Sequence, residues 1–425
     1  MAKTEYEWVD SGSLPEIAEH SEVKHSVIVQ YLKQYVKVLT INPSIPNLNL
    51  HIVDGFSGGG RYYSPKHKRE VYGSPILLHN TIREVEAEIN TTSRTKTKLS
   101  VNAQFYFIEK KKPVYQCLKD SLCSAGIDIN SENIHIINKS FTDAIDPVIN
   151  SILTHGRGDQ RAIYLLDQYG YTDVPIPYLR YIFGTSGKNS EAILTFSTDS
   201  IINYLSDSPS YLKGIKKAGL HEVLSLEAIN DLKELKQVDS KQTRALIEQS
   251  LYDFVWKKSK ARFFTPFFIR SDVSNRSYWL VHLSNHPKAR DEMVKIHWSF
   301  QNSFAHYGGP GLKMLFGFDA NLSHLENQLQ FDFLFDESAE SRTRDALLEG
   351  VTEYFSDEPL EIFELISSTC NGSPAHYEQY LDAIYSHLCQ KGIKIIGKNG
   401  EQRRSRKSLR LDDKIVLERN LTFMF

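Results

Sequence analysis

Apolar residues at Val23, Val27, Ile28, Tyr31, Leu32, Tyr35 and Val36 recur every three to four positions. That spacing predicts an amphipathic helix over His20–Leu39, ended by Asn42-Pro43 and Pro46-Asn47. The pattern then changes to short, nearly continuous apolar runs. They are Leu48–Val53 closing on Asp54, Gln104–Ile108 closing on Glu109, Asn133–Ile137, Ala162–Leu166 closing on Asp167, and Glu191–Phe196. Helical stretches lie between them: one opening at Gly73-Ser74-Pro75, one through Val114, Leu118 and Leu122, and one over Phe141–Leu153. Strands without polar alternation, separated by helices, predict a parallel sheet covered on both faces. Two further β-rich runs, Arg262–Arg270 and Tyr278–Leu283, flank the turn-like residues 271–276 and predict a hairpin that closes the sheet. Doubly wound sheets that bind only dinucleotides usually lack such a hairpin.

The remaining segments fill in the organisation. Residues 1–20 read as a polar arm and 21–305 as the α/β domain, with a charged, helical insertion at about 207–260. Arg61, Lys66, Lys68 and Arg69 mark a basic loop, and the Ser/Thr/Lys-rich Thr91–Ser100 a second loop. A helix follows Asn285-His286-Pro287 to about Trp298, and 306–340 reads as a linker. Residues 341–425 predict helices at 342–355, 358–368 and 374–391, then strands at 392–397 and 414–417 around a basic turn. Three helices followed by a hairpin describe a winged-helix-like domain.

Charge and cysteine content narrow the class. The 425 residues are 41% hydrophobic and carry a net charge of −2, so any nucleic-acid site must be local. Cys117, Cys123, Cys370 and Cys389 form no C-x-x-C pair and have no histidine at finger spacing, which predicts reduced cysteines, no metal site and a cytoplasmic setting. No apolar run reaches the roughly 18 residues of a membrane span.

The chemistry concentrates at strand ends. Asp54-Gly55-Phe56-Ser57-Gly58-Gly59-Gly60 follows the first strand as D-x-F-x-G-x-G. Glycines there permit a sharp turn and close approach of the backbone to a ligand. The stretch lacks the Lys-Ser/Thr of a phosphate loop and the third glycine of G-x-G-x-x-G. It is the way class I methyltransferases open their site for S-adenosyl-L-methionine (SAM), and Asp54, Gly55, Phe56, Ser57, Gly58 and Gly60 are expected to form the methionine end. Glu109 is placed to accept the ribose hydroxyls, as an acid does at that position in dinucleotide folds. Ser140 and Phe141 are expected to border the adenine. Asp167, Gln168 and Tyr169 end the fourth strand beside the switch point. There the carboxylate and the carboxamide oxygen are expected to accept from an exocyclic amine while the aromatic stacks on a flipped base. Lys24 and His25 read either as reaching this site from the first helix or as a solvated helix face. Arg61 and the basic turn residues Lys398, Arg403, Arg404, Arg406, Lys407 and Arg410 are expected to bind nucleic-acid phosphates.

Taken in order, these motifs resemble the three-Cys-motif partner (TcmP) family. The residues that carry the resemblance are Lys24-His25 with Tyr31-Leu32, Asp54 to Tyr62, Gly73-Ser74-Pro75, Asp167-Gln168-Tyr169-Gly170-Tyr171 and Ser284-Asn285-His286-Pro287. The family usually reads D-P-F-G where this chain reads Asp167-Gln168-Tyr169-Gly170. The resemblance implies a Rossmann-like class I methyltransferase fold in a prokaryotic protein that works beside a three-cysteine, radical-SAM-like partner. The expectation is therefore SAM-dependent methylation of nucleic acid or a nucleobase-type acceptor. The alternative is an inactive SAM-binding adaptor for that partner. Nuclease chemistry ranks lowest, for want of paired carboxylates.

Overall fold

A computed structural model of the chain describes residues 6, 8, 14–94, 97–155, 160–185, 189–238, 240–269, 278–300, 304–305, 311–312, 336–390 and 392–417. It divides into two compact units, Met1–Ile296 and His297–Phe425. The first division falls nine residues before the expected boundary at 305, and the expected linker at 306–340 lies largely outside the described residues.

The first unit begins with α1 (Glu19–Leu39), whose buried stripe holds Val27, Ile28, Tyr31, Leu32, Tyr35 and Val36 of the expected apolar set, leaves Val23 half-buried and adds His20, Ser21 and Lys24. Strand β1 (Asn47–Asp54) follows. The expected basic loop is instead a hairpin, β2 (Arg61–Ser64) paired antiparallel with β3 (Arg69–Tyr72). Next come α2 (Ser74–Thr92), β4 (Ser100–Ile108), α3 (Lys112–Ser124), β5 (Ile134–Ile137) and α4 (Phe141–Thr154). They lead to β6 (Ala162–Leu166), α5 (Ile176–Thr185) and β7 (Ser190–Phe196). Four helices, α6 (Thr198–Asn203), α7 (Pro209–Ala218), α8 (Leu226–Val238) and α9 (Ser240–Ser259), make up the helical insertion and its lead-in. Strands β8 (Phe263–Ile269) and β9 (Tyr278–Ser284) form the closing hairpin, and α10 spans Pro287–Ser299. The turn between β8 and β9 lies outside the described residues.

The main sheet of this unit runs β8-β9-β7-β6-β1-β4-β5. Its β1–β4, β4–β5, β1–β6 and β6–β7 pairings are parallel. Only β9 runs against its neighbours, pairing antiparallel with both β7 and β8. Every residue of β6 and β7 is buried, as strands covered on both faces must be. A parallel order with one antiparallel strand slipped in beside its edge is the Rossmann-like class I methyltransferase arrangement. It also fixes where a ligand goes. Successive connections leave β1 toward opposite sides, so the crevice opens at the carboxyl ends of β1 and β6, the switch point of the sheet.

In the second unit, helices α11 (Glu337–Gly350), α12 (Ile362–Thr369) and α13 (Tyr377–Cys389) accompany a three-stranded antiparallel sheet. Its strands are Leu360–Glu361, Lys414–Leu417 and Ile393–Ile396, in that spatial order. Leu360–Glu361 falls where the sequence predicts helix, and the structure starts α12 two residues later. No helix among the described residues is long and apolar enough to cross a membrane.

Candidate functional site

A cavity opens where the switch point requires it. Gly55, Phe56 and Gly58 after β1, Glu109 after β4, Phe141 at the start of α4, and Asp167, Gln168 and Tyr169 after β6 all line it. The glycine turn is held tightly. Gly55 N–H donates to Leu165 O at 2.8 Å and Ser57 N–H to Ile108 O at 3.0 Å, which stitches the turn to both flanking strands. Gly58 and Gly60 sit at φ +61° and +82°, a region that disfavours any side chain. A Cβ on Gly60 would also lie 2.9 Å from Ser121 Cβ.

The carboxylates divide by depth. Asp54 is fully buried below the turn and does not line the cavity. Its Oδ1 accepts from Phe56 N–H at 3.2 Å. Burial pushes its carboxyl up to about 7, against the opposing pull of the Ser74 hydroxyl and the Phe56 amide. Glu109 lies at the cavity wall, its Oε2 accepting from Gly58 N–H at 3.1 Å and Oε1 from Lys111 N–H at 2.8 Å. It braces the turn and keeps lone pairs for a ligand. Burial raises its carboxyl above the ordinary value, and the two amides moderate the shift.

Phe141 and Phe56 stack at 5.8 Å and form one apolar wall. Ser57, Gly60 and Ser140 do not line the cavity. Ser57 Oγ–H donates to Asp54 O at 3.2 Å, and Ser140 caps α4 by accepting from Asp143 N–H at 3.3 Å. Ser140 therefore works as a helix cap, which serine does best at that position.

At the end of β6, the sequence expectation is half reversed. Asp167 does face the cavity, but both its oxygens accept from Lys24 Nζ at 2.6 Å. Lys24 is only 5% exposed, so α1 delivers a buried ammonium to the site and its reading as a solvated face falls away. Burial alone works to raise the Asp167 carboxyl. The Lys24 charge, helped by the Thr195 hydroxyl, holds it below the ordinary value, so it is an anion at neutral pH and a poor base. His25 is pushed down to about 4 by burial and by the adjacent Lys24 charge, and stays neutral.

Gln168 is 2% exposed, and its Oε1 accepts from the backbone N–H groups of Asp173 and Val174 at 3.1 and 3.0 Å. Two amide donors on one side fix which end is oxygen. The carboxamide oxygen expected to accept from a substrate amine is thus already occupied. What Gln168 leaves over is Nε2, a buried donor without a partner.

Residues that the sequence did not single out complete the cavity. Tyr6 and Trp8 from the arm pack edge-on against Tyr62, at 5.2 Å each, above the glycine turn. Trp8 Nε1–H donates to Arg61 O at 3.0 Å, and its indole lies so close that a Cβ on Gly59 would meet it at 2.4 Å. Tyr-x-Trp in an otherwise polar arm was the available signal. Arg61 itself pairs with Glu70 across the β2–β3 hairpin at 3.4 Å. Among the described residues no group of three His, Cys, Asp or Glu could hold a metal ion.

The basic turn of the second unit separates in the same way. Arg403 bonds the fully buried Asp413 through Nε and Nη2 at 2.9–3.1 Å, and Arg406 bridges Glu378 and Asp382 on α13. Their charges are spent on the fold. Lys398, Arg404, Lys407 and Arg410 remain exposed, and Arg410 also closes the turn through the carbonyls of Lys407 and Leu409.

No family model matches the sequence, and no curated protein matches it. Among solved structures, the chain is similar to a protein of Legionella pneumophila at 12% identity, over 66% of this chain and 90% of that one, with a TM-score of 0.36. It is also similar to a putative O-methyltransferase from Klebsiella pneumoniae at 12% identity, over 63% and 88% of the two chains, with a TM-score of 0.27. A third likeness is to the O-methyltransferase TomG from Streptomyces achromogenes, solved with SAM, at 11% identity over 64% and 91%, with a TM-score of 0.28. Scores this low add nothing to the strand order, on which the fold assignment rests.

Proposed function

We propose that the first unit is a SAM-dependent methyltransferase. The observation that carries the reading is the cavity at the switch point of a methyltransferase-ordered sheet, where the glycine turn, a strand-end Glu109 and the Asp167-Gln168-Tyr169 segment converge. The residues fit the cofactor. The left-handed Gly58 gives room for close backbone approach, and Phe56 and Phe141 give an apolar wall for a purine. Glu109 has lone pairs to accept from ribose hydroxyls. Asp54 supplies buried negative potential under the turn when ionised.

When bound, SAM supplies an electrophilic methyl group on a sulfonium. The chain's own task is alignment, since methyl transfer mainly needs the nucleophile held in line behind that group. Lys24 and Asp167 lock the end of β6 to α1 and fix the floor of the acceptor side. Tyr6, Trp8 and Tyr62 cover the glycine turn and restrict water. Tyr169, 48% exposed, marks the mouth where an acceptor enters.

For the acceptor, nucleic acid or a nucleobase is the reading the second unit favours. Its element order, helix, strand, two helices and two strands, supports the winged-helix-like reading, and four basic side chains remain exposed on its turn. The resemblance of the motifs to TcmP proteins adds a three-cysteine, radical-SAM-like partner to this reading. The test is calorimetric binding of SAM together with transfer of labelled methyl to cellular DNA and RNA. Wild-type protein is expected to bind SAM and transfer, and Asp54→Ala and Asp167→Ala to lose transfer. Transfer that survives both substitutions would sink the assignment. Binding without any transfer would favour the adaptor alternative.

A further inference from the structure

The acceptor half of the cavity is a donor surface. Gln168 lines the cavity and is 2% exposed, its oxygen is saturated by two backbone amides, and its Nε2 is a buried donor with no partner. Beside it, Lys24 chelates Asp167 and holds a third N–H that a ligand can take. Asp167 already accepts from that ammonium through both oxygens, and Asp173, the other carboxylate lining this part of the cavity, pairs with Lys217 at 3.4 Å. An exocyclic amine entering here would find its hydrogens facing Gln168 hydrogens. A carbonyl oxygen would satisfy them.

We infer that the acceptor site recognises an oxo-edged nucleobase, one that presents a ring carbonyl to Gln168 Nε2–H, and discriminates against the amino-edged base of the same shape. The inference rests on the methyltransferase reading for what the cavity does, but concerns only which base enters. Tyr169 provides the exposed aromatic surface against which such a base stacks at the mouth. The discrimination comes from a buried polar group left unpaired by the wrong partner, which is the stronger kind of selectivity.

The experiment compares hypoxanthine with adenine, which present an oxo group beside N1–H and an amino group beside a bare N1, respectively, on the same purine frame. Full-length protein saturated with S-adenosylhomocysteine is titrated with fluorescein-labelled single-stranded octamers of deoxyinosine or deoxyadenosine, read by anisotropy. The free nucleosides, read by calorimetry, show whether the base must come on a strand. The deoxyinosine octamer is expected to bind about five- to ten-fold tighter, the worth of one neutral hydrogen bond. Gln168→Glu keeps an oxygen for the Asp173 and Val174 amides but turns the free donor into an acceptor, and is expected to erase that preference. Equal or tighter binding of the adenine ligands, no binding of either base, or a preference unchanged in Gln168→Glu would each overturn the inference. Should that variant fail to fold, the wild-type comparison decides alone. Failure of wild-type protein to bind S-adenosylhomocysteine is measured separately, and would count against the methyltransferase reading instead.

Discussion

Lys24→Met tests the central electrostatic feature of the site. Methionine keeps most of the buried volume and removes the ammonium, which leaves the Asp167 carboxylate without its counter-charge. The Lys24 side chain is 7% exposed and that of Asp167 29%, so the anion keeps some contact with water. Breaking a buried pair by deleting one partner costs about 3–5 kcal/mol, and the partial exposure of Asp167 argues for the lower end, about 3 kcal/mol. For a unit the size of Met1–Ile296, that corresponds to a fall of about 6 °C in melting temperature at pH 7. The pH dependence follows from the signs. In the wild type, Lys24 holds the Asp167 pKa low, so the pair's stability is present above the ordinary carboxylate value and lost only as pH falls through the lowered one. In Lys24→Met the ammonium no longer offsets burial and only the weaker pull of the Thr195 hydroxyl remains, so that pKa rises relative to wild type and the variant loses stability as pH rises. The deficit is therefore largest at pH 7–8 and shrinks toward pH 5. Calorimetric melts of wild type, Lys24→Met, Asp167→Asn and the double variant complete the cycle. The double variant is expected to recover about 2 kcal/mol relative to the sum of the singles. Strict additivity, or a deficit independent of pH, would show that the two groups do not act as a pair.

Three other outcomes follow from named contacts. Gly60→Ala places a side chain at φ +82° with its Cβ 2.9 Å from Ser121 Cβ, and is expected to cost more than the roughly 1–2 kcal/mol of the left-handed conformation and to weaken SAM binding in calorimetry. Asp54 is pushed up to about 7, so the stability it contributes is full below the ordinary carboxylate range and falls as pH rises through 7. Asp54→Asn should accordingly flatten the melting temperature between pH 5 and pH 8, which paired thermal melts measure. In the second unit, Arg403→Gln removes the charged partner of the buried Asp413 and leaves it the Arg410 N–H, so it should lower that unit's melting temperature, while Lys407→Gln should leave it unchanged and reduce the salt dependence of nucleic-acid binding by about one counterion.

Much of the fold was legible because its strands are fully buried and bounded by turns. Continuous runs such as Ala162–Leu166 leave no polar face to confuse the period, and the helices between them force parallel connections. The closing hairpin was legible from two β-rich runs and became an antiparallel pair inserted next to β7. Where the prediction failed, the distances were short. The basic residues after Arg61 look like a loop by composition, yet Arg61–Ser64 and Arg69–Tyr72 pair across only four intervening residues. Leu360–Glu361 is too short a strand for any periodicity to show.

The site was legible by position and not by chemistry. The sequence placed Asp54, Glu109 and Asp167 at strand ends, because strand ends follow from local pattern. What each group offers a ligand is decided by its neighbours in space, and those are remote in the chain. Asp167 is answered by Lys24, 143 positions away, and Glu109 by Gly58, 51 positions away. Gln168 needs no distant partner, since Asp173 and Val174 lie in its own loop, yet only the path of that loop turns their amides onto its oxygen. The same three letters, Asp-Gln-Tyr, could have built an acceptor surface for an amine. A lysine from α1 and one turn of loop consume those acceptors and leave a donor in their place. The polarity of the acceptor site is therefore a tertiary property, and Gln168 is the residue through which it can be reversed.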